Sequence, residues 1–366
     1  MRPGGVSGSD RPGGGHVRKG GAYRPELEGL RALAATLVVV YHVWLGRVSG
    51  GVDVFFLISG FLITGQVARG YERGERVLAR VWSRMARRLL PSVTTVLLAV
   101  VGLSLLLLPE DRWFKTIREV AASALFVENW ELARDSTDYF AQHDEASVLQ
   151  HFWSLSVQGQ FYLVWPVLIG LVVFAVNRLR LTLGLRLTLR PTLACVLGVV
   201  LCCSLAYSVH LTVVDQPLAY FDSLTRAWEF ALGGLLALGI DAVVLPHRLR
   251  VVAGWVGVAG LASCGLVLEV GRQFPGWAAL WPTLSGAAVL LAGVTGSRVG
   301  ADRLLASRPM RYLGGLGFAW YLWHWPVLVF SLLVRERPEP GLIGGAAVIL
   351  ISLALAAATY RFVEVP

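Results

Sequence analysis

The chain has 366 residues, of which 55% are hydrophobic and only 16% charged, and its mean hydropathy is +0.61. A soluble domain carries about 45–50% apolar and about 25% charged residues, so this composition excludes an ordinary soluble globule and points to a chain that crosses a membrane repeatedly. The formal charge of +9 does not point to nucleic acid, because the arginines stand in short clusters between apolar runs, where membrane proteins keep them.

Residues 1–24 are Gly-rich and basic and lack an apolar core. They read as a disordered cytoplasmic tail and not as a signal peptide. Apolar runs follow near residues 30–46, 52–68, 90–108, 161–176, 192–212, 226–241, 251–269, 278–294, 313–332 and 341–358. Each is a candidate span; the sixth is short and carries Glu229. With the amino terminus inside, the arginine-rich loops fall on one side: Arg69 to Arg88, Arg178 to Arg190, Arg248 and Arg250, and Arg298 to Arg311. The positive-inside rule then places both ends in the cytoplasm. The long loop at about 110–152, acidic and aromatic, falls outside and reads as a folded cap. The fold class is all-α: a polytopic membrane protein of about ten transmembrane helices, with one membrane domain over 25–366. Cys195, Cys202, Cys203 and Cys264 lie in apolar runs without metal-ligand spacing and read as small buried hydrophobes; no metal is expected.

The first span, LRALAATLVVVYHVWLG, holds two ionisable groups, Arg31 and His42, eleven residues apart. On an α-helix that separation is about three turns plus roughly 20°, with a rise of about 16 Å. Both groups therefore share a face, and Glu28 joins them. Ionisable groups at membrane depth mark function. The competing reading is a packing histidine and a snorkelling arginine. Asp53 opens the second span across a short turn, where a carboxylate beside His42 would fix its tautomer and raise its basicity. Ser59 in the same span lacks the nucleophile elbow of a serine hydrolase.

RPELEGLRALAATLVVVYH…GGVDVFFLISGFLITG resembles the signature of the membrane-bound acyltransferase-3 family, whose hallmark is a basic residue, ten residues, then histidine. The resemblance continues through RMARRLLP (84–91), HFWSLSVQGQFYLVWP (151–166), RAWEFALGG (226–234), YLWHWP (321–326) and YRFVEVP (360–366). It covers residues 24–366 and is nearest to the branch that O-acylates cell-surface polysaccharides and peptidoglycan.

The resemblance implies transfer of an acyl group, acetyl above all, from cytoplasmic acyl-CoA to a hydroxyl of an extracytoplasmic glycan. It implies His42 as base or acyl carrier, with Arg31 steadying a phosphate or the thioester carbonyl. Arg84, Arg87 and Arg88 open the third span. Guanidinium forks suit CoA phosphates, although plain topology accounts for these residues equally well. Glu364, beside Arg361, closes a salt bridge or shapes the donor site. Trp153, Ser154 and Tyr162 suit an acceptor entrance, and an interfacial aromatic belt is the alternative. Gln158 and Gly159 stand where the family has two glutamates; an amide orients but does not titrate, which keeps a non-catalytic scaffold open. His324, grouped with the substrate-binding residues, is placed to bond the carbonyl that Pro326 frees. Relatives of this branch continue into an SGNH-type domain, so unaided transfer, a longer coding sequence and a separate SGNH-type partner are the three expectations. A transporter, or an enzyme acylating a small molecule such as a macrolide sugar, are the rival functions.

Overall fold

The computed structural model describes residues 24–47, 49–137, 147–184, 186–267 and 273–364. The expected tail, up to residue 23, and residues 138–146 of the expected cap lie outside them. The described residues are helical, with no strand among them. α1 (Pro25–Val40) runs into a π-helical turn, Tyr41–Leu45. α2 (Gly51–Glu72) returns, and α3 (Val77–Leu107) crosses again. Two shorter helices, α4 (Trp113–Ala124) and α5 (Glu128–Thr137), form the cap. Then come α6 (Phe152–Leu183), α7 (Leu189–Val214), the six-residue α8 (Gln216–Phe221) and α9 (Ala227–Gly239). The chain continues through α10 (His247–Val267), α11 (Leu280–Ala292), α12 (Ala301–Leu305), α13 (Arg308–Arg335) and α14 (Gly341–Thr359). A second π-helical turn, Tyr360–Glu364, follows α14.

Eight of these helices are long and apolar enough to cross a membrane, which makes this a multi-pass membrane protein. The sequence led to about ten. The other two expected spans are α9 and Trp277–Ala292, which are shorter. Thirteen residues of α9 rise only about 20 Å against a hydrocarbon core of about 30 Å. Both are sheltered by neighbouring helices, and α9 runs beside α2 in the same direction, from Arg226 at Asp53 to Ala237 at Gly65.

The arginine-bearing loops do gather at one end of the bundle. Arg190 pairs with Glu72 at 2.7 Å, Arg24 donates to the Leu290 carbonyl, and Arg250 donates to the Ala292 carbonyl. The cap helices stand at the other end. Three of the four cysteines depart from expectation: Cys195, Cys202 and Cys203 are exposed on α7, and only Cys264 is buried. In a membrane protein an apolar run also covers lipid-facing surface, so hydrophobicity alone does not mark the core.

α2 and α9 approach so closely that neither tolerates a side chain at the crossing. A Cβ on Gly60 would lie 2.0 Å from the Phe230 carbonyl oxygen, and one on Gly233 would lie 2.0 Å from that of Leu57. Small residues permit such approach in membrane bundles. Gly60→Ala must push the helices apart and is expected to cost about 1–3 kcal/mol, read as a lower melting temperature in detergent. An unchanged melting temperature would mean that the crossing is looser than described.

The cap holds an unusual acid. Glu128 is fully buried, and neither of its carboxyl oxygens has a hydrogen-bond partner among the described residues. Burial, reinforced by repulsion from Glu119, pushes its pKa up to about 10. The unfolded chain releases this proton near pH 4.5, whereas the folded chain holds it to about 10. Stability should therefore fall as pH rises between these values, by about 1.4 kcal/mol per pH unit. Glu128→Gln keeps the neutral form and is expected to raise the melting temperature at pH 8 and flatten its pH dependence. An equal or lower melting temperature at that pH would contradict the assignment.

Candidate active site

α1 ends its regular geometry at Val40, and His42 sits in the π turn that follows. Such bulges re-aim side chains and recur at functional sites. The half-buried His42 meets His324 of α13 here: Nδ1 of His42 lies 2.9 Å from Nε2 of His324, with the rings 12° from parallel. His324 is fully buried, and its Nδ1 lies 2.6 Å from the Tyr321 carbonyl oxygen. A carbonyl only accepts, so His324 Nδ1 carries the proton. In a neutral His324 the lone pair is then on Nε2, which accepts from His42 Nδ1–H. That leaves the lone pair of His42 on Nε2, uncommitted by this chain of bonds. The edge of Trp325 closes the other side, its ring centroid 5.2 Å from that of His42.

A cavity of about 100 Å³ runs along α2 from Val52 to Gln66, about 21 Å of helix. Towards the arginine end it is walled by Arg31 and Arg88, in its middle by Ser59, Gln158 and Tyr162, and at its far end by Ser154 and Tyr321. Arg31 is held by Glu28 at 3.1 Å and lies within electrostatic reach of Arg88 and Glu364. Gln158 donates to Ser59 Oγ and to Tyr162 Oη (2.8 Å), which lies 3.1 Å from Ser59. Gln158 therefore orients hydroxyls, as an amide can. Tyr321 joins this cavity to the imidazoles: its hydroxyl lies 2.7 Å from Ser154 Oγ, and its carbonyl anchors His324. Beside the cavity, and sharing Gln66 with it, a second cleft of about 310 Å³ is lined by Arg69, Arg73, Arg80 and Arg84, with Glu75 among them.

Several expectations need correction. Asp53 does not pair with His42. It accepts from Arg226 at 2.9 Å, and the same Nη1 donates to Glu229 at 3.0 Å. All three are buried, and the guanidinium lies over Trp153, Tyr220 and Phe274 at 5.0–5.5 Å. Trp153 thus packs on a buried ion cluster and does not line the cavity. Arg84, Arg87 and Arg88 do not line one cavity: Arg88 reaches the first, Arg84 bonds Gln66 at 3.0 Å in the second cleft, and Arg87 turns back to the Ser83 carbonyl. Glu364, carried by the second π turn, does not close a salt bridge with Arg361 among the described contacts: it accepts from Ser92 of α3 at 2.7 Å, and the Arg361 guanidinium lies over Phe362. The shared face expected of Arg31 and His42 does not open into one cavity: Arg31 is among the cavity's walls, but the cavity stops at Tyr321 and His42 is not. The carbonyl that Pro326 frees, that of Leu322, is taken by His151 and not by His324. His151 escaped the sequence reading because it sits in an aromatic run with no spacing that ties it to residues 321–326.

Residues 24–361 match a family model described as an acyltransferase domain. The peptidoglycan O-acetyltransferase OatA of Listeria monocytogenes is 27% identical over 94% of this chain and 56% of its own length. The O-acetyltransferase OatA of Staphylococcus aureus is 29% identical over 94% of this chain and 57% of its own. The chain thus spans little more than half the length of these relatives. No solved structure matches. With nearly all of the described helical bundle inside the matched region, the chain belongs to the acyltransferase domain family.

Proposed function

We propose that this protein is a membrane O-acyltransferase that moves an acyl group, acetyl above all, from acyl-CoA to a hydroxyl of a cell-wall glycan. The observation that carries the reading is the bonded chain Tyr321 carbonyl–His324–His42, which leaves a bare Nε2 on a half-buried histidine. That is the form a general base needs. The arginine-lined cleft and the cavity beside it support an anionic donor: phosphates suit the guanidiniums, and an extended arm suits the channel along α2. In this reading the arginine end, with both chain termini, is cytoplasmic, and the cap faces the acceptor.

With the thioester carried past Tyr321, where the cavity ends, to His42, the acceptor hydroxyl gives its proton to His42 Nε2 as its oxygen attacks the thioester carbonyl. The C–S bond then breaks, and the departing CoA thiolate regains a proton from the imidazolium. His324, accepting from His42 Nδ1, stabilises the charge that develops on the ring. Arg31 and Arg88 hold the donor from the arginine side. The peptidoglycan named for the Listeria relative is the acceptor to try first. The test is purified protein in nanodiscs, with acetyl-CoA and peptidoglycan-derived glycan, following free CoA together with ester on the glycan. Both should appear in equal amounts. No CoA release with glycan present would overturn the reading.

A further inference from the structure

We propose that His151 is a positioning residue that fixes the tautomer and placement of the His324–His42 pair. The proposal rests on the acyl-transfer reading for its effect on turnover, but its structural core does not. Pro326 has no N–H, so the helical bond to the Leu322 carbonyl is missing. Leu322 is fully buried, so water does not replace that bond. His151, itself 3% exposed, fills the gap: its Nε2 lies 3.0 Å from the Leu322 oxygen and must donate.

The grip is reciprocal. The Tyr321 hydroxyl donates to the His151 carbonyl at 2.7 Å. The turn that begins α6 is therefore pinned to the turn of α13 that precedes Pro326 from both sides, over residues 321–322. That same turn supplies the Tyr321 carbonyl that orients His324. The His151 ring also meets that of His324 edge-on, with centroids 5.7 Å apart and planes at 78°, which limits how far His324 can rotate. The Nδ1 of His151 has no hydrogen-bond partner among the described residues. The ring's one bond among the described residues is thus the bond to the Leu322 carbonyl, and its role is to place its neighbours.

The geometry sets apart two replacements. His151→Phe keeps the ring and loses the donor, whereas His151→Gln carries an amide nitrogen that can reach the site of Nε2. In the Phe variant turnover is expected to fall about 10–100-fold, the size of loss seen when a group that orients a metal-bound imidazole is removed. The Gln variant should recover most of that loss. The second readout is independent of activity: histidine nitrogen NMR in nanodiscs. The wild type should show His42 protonated at Nδ1 and bare at Nε2, and the Phe variant a mixture of tautomers at His42 and His324. An unaltered tautomer pattern in the Phe variant, or a Gln variant no better than Phe, would overturn the proposal. A wild type inactive toward acyl-CoA but with the expected tautomer would sink the acyl-transfer reading and leave the positioning role standing.

Discussion

Replacing His42 with alanine is expected to lower acyl-CoA turnover by about 10²–10⁴-fold, the range general bases supply, while the melting temperature in detergent stays within a few degrees. The asymmetry follows from its surroundings. His42 is only half-buried and stands in a π turn at the end of α1, so little packing is lost. Its chemistry, by contrast, has no substitute among its described neighbours. His324 has both ring nitrogens engaged, one with the Tyr321 carbonyl and one with His42. His151 is committed to the Leu322 carbonyl, and its other nitrogen is buried. Turnover within threefold of wild type, in a variant shown to be folded, would remove His42 from the mechanism.

The second large effect concerns stability. Arg226→Met should destabilise the bundle by about 3–5 kcal/mol, because it leaves two buried carboxylates without their common cation. Asp53 and Glu229 both bond the same guanidinium nitrogen, and each keeps a second oxygen with no hydrogen-bond partner among the described residues. The shell around them is aromatic, and among the described residues no second cation bonds either acid. Replacing the acids as well, with Asp53→Asn and Glu229→Gln added to Arg226→Met, should recover part of the loss, since no charge then remains buried. Thermal unfolding of the single and triple variants in the same detergent separates the cases. If Arg226→Met melts with the wild type, or the triple variant melts no higher than the single, the cluster is not the charge-paired unit described.

The sequence made the bundle legible because its signals are local. Apolar runs of the right length and arginines between them require no knowledge of what packs on what. Arg31 and His42 stood out for the same reason, as ionisable groups inside an apolar run. What it hid were the partnerships. Asp53 lies eleven residues from His42 along the chain, yet bonds Arg226, 173 positions away. Proximity in sequence was a poor guide because the tight contact of α2 with α9 decides where Asp53 points. The two π turns carry His42 and Glu364, and helical spacing counted at 100° per residue loses its meaning at such turns. His151 was invisible because its role depends on a carbonyl exposed by a proline 175 positions later.

The central claim is that an acyl-CoA entering from the arginine end delivers its acyl group to a site governed by His42. Sealed vesicles of defined orientation test it most directly, one set with the arginine end outward and one with the cap outward, each containing glycan fragments on both sides. Acetyl-CoA does not cross the bilayer, so adding it outside addresses one face at a time. The account predicts release of CoA only when the arginine end faces the added acetyl-CoA, with ester forming on glycan at the cap face. Equal CoA release from both orientations, or release confined to vesicles with the cap outward, would contradict it.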